Sequence, residues 1–385
     1  MPRLTLRVAS CALLFAAAPL LAASQLAACS DGGDLGPAPG PVDGGGDGGT
    51  DAARPDAPAP DLPPPFDAGT RDAESTDAGF FDPSIIAQGR IQVGEPDLYV
   101  TVRGTLTSTM PPLLILPTGP MHGQEYLYEP TEFLLGPGGR TAPDRLLVYV
   151  DPRGTGRSSR GSLDDAEISV EAHLRDMSSI ADHVEEVTGR SGPIDILGHG
   201  YGAALAALFA AEAPERVRRL VLSNPFPTDV LEYSLWNEAY RARLSGSDLA
   251  RLNDVTDFRV CFQDIRRCSV DTWNIIGPTW FCPQNQQLLF EMSFVHLNLR
   301  PFRFEIDQDL RRSQYDWSVT LGRIPSGIPT TVISGPCDPI PASAPATYTS
   351  SIAGARQHVV PGSGHFTLVE QAEEFRRIVR GALTD

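Results

Sequence analysis

The chain has 385 residues, 41% of them hydrophobic and 21% charged, which is enough apolar material for one large folded unit carrying an inserted segment. Its formal charge of −17 argues against a nucleic-acid partner, because such partners require a basic surface. All 31 basic residues are arginine, a compositional bias to which no mechanism attaches.

In chain order, Arg3 and Arg7 precede an apolar run through Leu20, Leu21 and Ala23, the charge and length layout of a secretory signal over residues 1–28. The run closes on Leu26-Ala27-Ala28-Cys29, which resembles the lipobox of bacterial lipoproteins. That resemblance implies lipid attachment at Cys29 and a place in the bacterial cell envelope, anchored to a membrane and facing periplasm or exterior. Several acyl chains, at about 0.8 kcal/mol per buried methylene, hold a protein on a bilayer durably. Residues 29–82 then read as an acidic Asp/Pro/Gly/Ala linker. Between Ser30 and Asp82 stand twelve acidic residues and two arginines, or −10 of the total charge, with no periodic apolar positions. Such a segment cannot bury enough surface to offset its chain entropy, so it is expected to be disordered.

From Arg90 onward, apolar segments of strand length alternate with helical patterns, the signature of an α/β fold built on a mostly parallel sheet. Eight strands are expected, at 90–93, 98–102, 113–116, 146–150, 194–197, 220–222, 331–333 and 357–360. Val170 to Val187 places Leu174, Met177, Ile180, Ala181 and Val184 at three- and four-residue spacing, as an amphipathic helix does. Ala203 to Ala213 is apolar almost all round and reads as a buried helix, and Leu368 to Leu383 closes the chain as an amphipathic one. The alternation fails for about a hundred residues after Leu222, where all four tryptophans lie. This gives a core at 83–225, a mainly helical cap at 226–328 over the carboxyl edge of the sheet, and a second part of the core at 329–385.

With Cys11 lost in the signal and Cys29 lipidated, Cys261, Cys268, Cys282 and Cys337 remain in the folded part. Four thiols in an oxidising compartment imply two disulfides, with three possible pairings. The short gap between Cys261 and Cys268 favours a local bridge, leaving Cys282 to join Cys337.

Four motifs carry chemistry. Val148-Tyr149-Val150-Asp151-Pro152-Arg153-Gly154-Thr155-Gly156-Arg157-Ser158 forms a strand and glycine turn. Leu197-Gly198-His199-Gly200-Tyr201-Gly202 lies between a strand and a buried helix. Asp338 follows a strand in Gly335-Pro336-Cys337-Asp338-Pro339, and His365 follows the last strand in Gly364-His365-Phe366. A further loop, Pro117-Thr118-Gly119-Pro120-Met121, follows the third strand. Together these resemble the α/β-hydrolase superfamily, within it most closely the capped prolyl and tripeptidyl aminopeptidases, over roughly Arg90 to the end.

The resemblance implies an α/β-hydrolase fold with a triad of serine, Asp338 and His365, in which the acid orients the imidazole and the imidazole acts as base. The serine of the G-x-S-x-G elbow is replaced by Gly200. The loop that reads His-Gly-Gly-Pro-Gly in the aminopeptidases is altered here, with Thr118 in place of glycine and Met121 crowding its end. Oxyanion donors are expected from the amides of Thr118, Gly119 and Tyr201. Glu232, Glu238 and Glu291 of the cap are candidates for holding a substrate amine, Glu238 chief among them. No spacing suggests a metal, and no cofactor is expected. Two readings follow. One is a non-acylating pseudo-hydrolase that binds a small molecule or peptide; the other is an enzyme in which His365 and Asp338 activate water or take a substrate proton directly.

Overall fold

The computed structural model describes residues 85–91, 97–104, 108–135, 145–158, 168–261, 263–292, 294, 296–299 and 305–384. The expected signal segment, Cys29 and the acidic linker lie outside these residues.

The strands are β1 (Ile85–Ile91), β2 (Leu98–Arg103), β3 (Leu113–Leu116), β4 (Leu147–Asp151), β5 (Ile194–His199), β6 (Val217–Ser223), β7 (Thr330–Ser334) and β8 (Arg356–Val359). They form one sheet in the order β1-β2-β4-β3-β5-β6-β7-β8. Both pairings of β2, with β1 and with β4, are antiparallel, and all others are parallel. This is an α/β-hydrolase fold. β1 begins earlier than the sequence suggests, because its pairing with β2 runs from Ile85 opposite Arg103 to Ile91 opposite Leu98 and so uses the whole length of β2. β6 is longer than its apolar pattern for a related reason: Arg218 and Arg219 interrupt the pattern but still lie on the strand, half-buried.

The central strands β3, β4 and β5 are buried along their whole length, as strands covered on both faces must be. Helix α1 (Val170–Thr188) starts on Ser169, whose side chain accepts the Ala172 amide, and ends on Gly189 in the left-handed region. Helix α2 (Tyr201–Glu212) is buried over its first ten residues and packs on β5, β6 and α1. Between β6 and β7 lie α3 (Val230–Ala242), α4 (Gly246–Val255), α5 (Ile265–Ile276) and α6 (Asp307–Ser313), with a short helical turn at Phe258–Cys261 and 3₁₀ segments at Gly277–Trp280 and Pro283–Phe290. After β7 come α7 (Ser343–Ser351) and, closing the chain, α8 (Ala372–Thr384). The cysteines pair as Cys261–Cys268 and Cys282–Cys337, with Cα separations of 5.0 and 5.1 Å.

Among the described residues no helix is long and apolar enough to cross a membrane. At the foot of β5, the fully buried Asp195 carboxylate forms ion pairs with both Arg145 and Arg218. Removing one partner of a buried charge group strands the others. Asp195→Ala is therefore expected to lower the unfolding free energy by about 3–5 kcal/mol, read from the midpoint of a urea titration.

Candidate functional site

β3, β5, β7 and β8 end at the carboxyl edge of the sheet, and each feeds one loop of the site. β3 and β5 are neighbours in parallel register, with Leu116 opposite Gly198. Two residues further on, Thr118 and Gly200 therefore confront each other. Gly200 sits at φ 55° and ψ −116°, the sharp strand-to-helix turn of a nucleophile elbow, in a region that strains any residue with a Cβ. Its carbonyl accepts amides from Ala203 at 3.1 Å and Phe226 at 3.1 Å, and its own amide donates to Ser223 at 2.9 Å. The Gly202 amide donates to the Pro117 carbonyl at 3.1 Å, tying the elbow to the loop after β3.

The acid and base come together. His365 Nδ1 lies 3.0 Å from Asp338 Oδ2, and because a carboxylate only accepts, Nδ1 carries the proton and Nε2 is the acceptor. Asp338 Oδ2 also accepts Asn224 Nδ2 at 2.9 Å, and Oδ1 accepts the Ile340 amide at 3.0 Å. What faces the base on its other side is unexpected. Thr118 Oγ1 lies 2.9 Å from His365 Nε2 and donates to it. A Cβ placed on Gly200 would overlap that same Oγ1, and would come within 2.8 Å of Thr118 Cβ and 3.0 Å of His365 Nε2. The threonine hydroxyl thus occupies the space of the missing side chain.

The Thr118 amide is committed elsewhere, since it donates to Tyr126 Oη at 2.7 Å. This corrects its expected use as an oxyanion donor, since its hydrogen is already engaged. Tyr126 in turn donates to His199 Nδ1 at 2.7 Å, and His199 Nε2 donates to the His365 carbonyl at 2.9 Å. Burial, reinforced by His365, holds the His199 imidazole neutral far below its usual range, which suits one nitrogen accepting and the other donating. The three loops are joined by this relay.

Residues 113–378, well over half of the chain, match the model of the Alpha/beta hydrolase family. The chain belongs to this family. A 2-hydroxymuconate semialdehyde hydrolase of Pseudomonas putida is 28% identical over 251 residues, covering 64% of this chain and 79% of that one. Among solved structures, a proline iminopeptidase of Mycobacterium smegmatis superposes with a TM-score of 0.54 at 20% identity, covering 77% of this chain and 97% of the other. An enol-lactonase of Burkholderia xenovorans LB400 gives 0.55 at 17% identity, covering 77% and 100%. At these identities the two superpositions speak for the shared fold.

Gly200, Asp338 and His365 meet at one place, Gly119 and Tyr201 are the chain neighbours of Thr118 and Gly200, and Glu238 does not join them. Glu238 is exposed on α3, while Glu232 spends its Oε2 on the Thr228 amide and hydroxyl at 2.9 and 2.7 Å. Glu291 is exposed at the rim of a separate cavity lined by Glu125, Glu129 and Arg376. Met121 is buried in the hydrophobic core, and its carbonyl accepts the Asn298 amide at 3.0 Å.

Sequence reasoning missed the supporting groups. Trp280 meets the His365 ring edge-on at 4.7 Å, and its carbonyl accepts the His365 amide at 2.7 Å. Glu370 accepts the Cys282 and Gly364 amides at 2.9 and 2.7 Å, anchoring the histidine loop to the segment between β6 and β7 beside the Cys282–Cys337 bridge. His122 is fully buried against Trp273 at 4.5 Å, and neither of its ring nitrogens has a hydrogen-bond partner among the described residues. Among the described residues no group of His, Cys, Asp and Glu is placed to hold a metal.

Burial, and secondarily His365, lowers the pKa of His122 to about 3. The unfolded imidazole titrates near its ordinary value of about 6.5, so below that pH the unfolded chain binds a proton that the folded one refuses, and stability falls as pH falls toward 3. His122→Phe removes this linkage. Between pH 6 and 4 the unfolding free energy of the variant should decline less steeply than that of the native chain, by up to about 1.4 kcal/mol per pH unit, as denaturant titrations at several pH values would reveal.

Proposed function

We propose that the protein is a lipid-anchored acyl hydrolase of the bacterial cell envelope that works without a side chain at Gly200, with His365 as its base and Asp338 as the group that orients it. The observation carrying this reading is the placement of His365, with Nδ1 3.0 Å from Asp338 Oδ2 and Nε2 2.9 Å from a hydroxyl, so that a neutral imidazole giving Nδ1–H to the carboxylate presents Nε2 as an acceptor. A histidine so arranged is ready to take a proton from an attacking oxygen. Names among the similar proteins include hydrolysis of a semialdehyde, an enol-lactone and a proline iminopeptide. Of these chemistries, ester or lactone cleavage suits this chain better than aminopeptidase action, because the cap carboxylates Glu232 and Glu238 are engaged or exposed and do not offer a seat for a substrate amine.

Removal of the base separates this reading from a passive one. With p-nitrophenyl butyrate as substrate, His365→Ala should lower kcat/KM by at least about 10³-fold relative to the native protein. Equal rates in both, or none above buffer, would leave a non-acylating module that binds a small molecule or peptide. That second reading is favoured by one feature: the site is closed, with His365 1% and Thr118 2% exposed beneath Trp280.

The envelope location rests on the lipobox-like Leu26 to Cys29 and its basic and apolar lead. Intact-mass and peptide mass spectrometry of protein taken from native membranes should find Cys29 as the first residue, carrying acyl chains; a chain retaining Met1, or starting elsewhere without lipid, would refute it.

A further inference from the structure

We propose that the nucleophile has moved across the site, from the elbow to the facing loop, and that Thr118 performs the attack that the family's elbow serine performs; this deepens the hydrolase reading above and rests on it. Three observations converge. First, β3 and β5 run parallel with Leu116 opposite Gly198, so residues 118 and 200 are equivalent positions on neighbouring strand ends, each two steps past the register pair. Second, the family's pattern of glycine after β3 and serine at the elbow is reversed here, with Thr118 on one side and Gly200 on the other. Third, the exchange is reciprocal in space: Thr118 Oγ1 lies where a Cβ of residue 200 would stand, and it donates to His365 Nε2 at 2.9 Å. The hydroxyl, base and acid are therefore linked in series as Thr118, His365 and Asp338, with the 3.0 Å bond to Asp338 completing the chain.

Threonine is a competent nucleophile when a base lies within hydrogen-bond reach. Here its backbone is immobilised, since the Thr118 amide is held by Tyr126 at 2.7 Å and Tyr126 by His199. The Gly119 amide follows the new nucleophile, and the Tyr201 amide opens α2, where the positive end of the helix dipole lies. In the reaction, Thr118 Oγ1 adds to the carbonyl carbon of an ester while its proton passes to His365 Nε2. The tetrahedral adduct collapses, the carbon–oxygen bond to the leaving group breaks, and the departing alkoxide takes the proton from Nε2. Water then attacks the acyl-threonine ester, giving its proton to Nε2, and the second collapse breaks the bond to Oγ1, which recovers that proton. The sum is ester plus water to acid plus alcohol, with no other reactant.

The test uses a biotinylated fluorophosphonate, which phosphonylates an activated hydroxyl with loss of fluoride, and p-nitrophenyl butyrate as turnover substrate. Peptide mapping of the labelled native protein should place the adduct on Thr118. Thr118→Val keeps the side-chain shape and removes the hydroxyl, so labelling should vanish and turnover fall by about 10³-fold or more, while Thr118→Ser should keep both. Gly200→Ser alone should neither label at the elbow nor gain activity, because its Cβ overlaps Thr118; paired with Thr118→Gly it should move the adduct to the elbow peptide. Mapping on the native protein decides the matter even where a variant fails to fold. Turnover that depends on His365 but is unchanged in Thr118→Val, with no adduct on Thr118, would overturn the threonine nucleophile and leave a hydrolase that activates water. Absence of both adduct and His365-dependent turnover would overturn the hydrolase reading and the nucleophile together.

Discussion

The hydrogen bond from Thr118 to His365 exists only because the residue facing it has no Cβ. At the carboxyl ends of β3 and β5 there is room for one hydroxyl-bearing side chain beneath the imidazole, and the parallel register makes the two strand ends equivalent claimants for it. A residue with a Cβ at the elbow would claim that room for itself. Here the elbow yields it, and glycine at φ 55° relieves the strain that a serine would have imposed there, of order 1–3 kcal/mol. The geometry of the site and backbone comfort are therefore coupled through a single packed volume. A change on either strand end is felt by the other.

The surroundings make this contact rigid. Tyr126, His199 and the His365 carbonyl form one chain of hydrogen bonds linking the loop after β3, the elbow and the loop after β8. Aromatic rings close around it: Trp280 and Phe366 lie against His365, and Phe366 stacks on Phe281. In so dry a setting each satisfied hydrogen bond is strengthened, and each broken one costs more than it would in water. The neutral state of His199 follows from the same burial, as does that of His122.

Much of this was legible in the sequence because periodicity and turn chemistry are local. The apolar runs gave the strands, the acid and base loops announced themselves by following β7 and β8, and the cysteine spacing favoured the pairing that forms. That the turn carries no side chain was visible as Gly200. What faces it was not, because Thr118 lies 82 residues away in the chain and meets His365 only through the strand order, which places β3 beside β5 rather than beside its sequence neighbour alone. Thr118 read as a damaged oxyanion position for want of that adjacency. The supports Tyr126, Asn224 and Glu370 carry no motif at all; each is defined by a loop amide or side chain that another part of the fold presents to it. Glu238 failed for the opposite reason: a carboxylate on an amphipathic helix looks alike whichever way the helix is turned, and α3 turns it outward.

The bridge from Cys282 to Cys337 closes the chain between them into a covalent ring that includes the second half of the cap, β7 and the start of the acid loop. A closed ring cannot be unzipped from either end. The ring also takes in α6 and Trp317, so this part of the segment between β6 and β7 is bounded at both ends by one covalent link. Arg243, at the end of α3, spans the seam, donating to the Thr279 carbonyl at 2.6 Å and the Cys337 carbonyl at 2.7 Å. The acid loop is thus held in two ways that differ in kind: by a bond that only reduction opens, and by hydrogen bonds that thermal motion can break and remake.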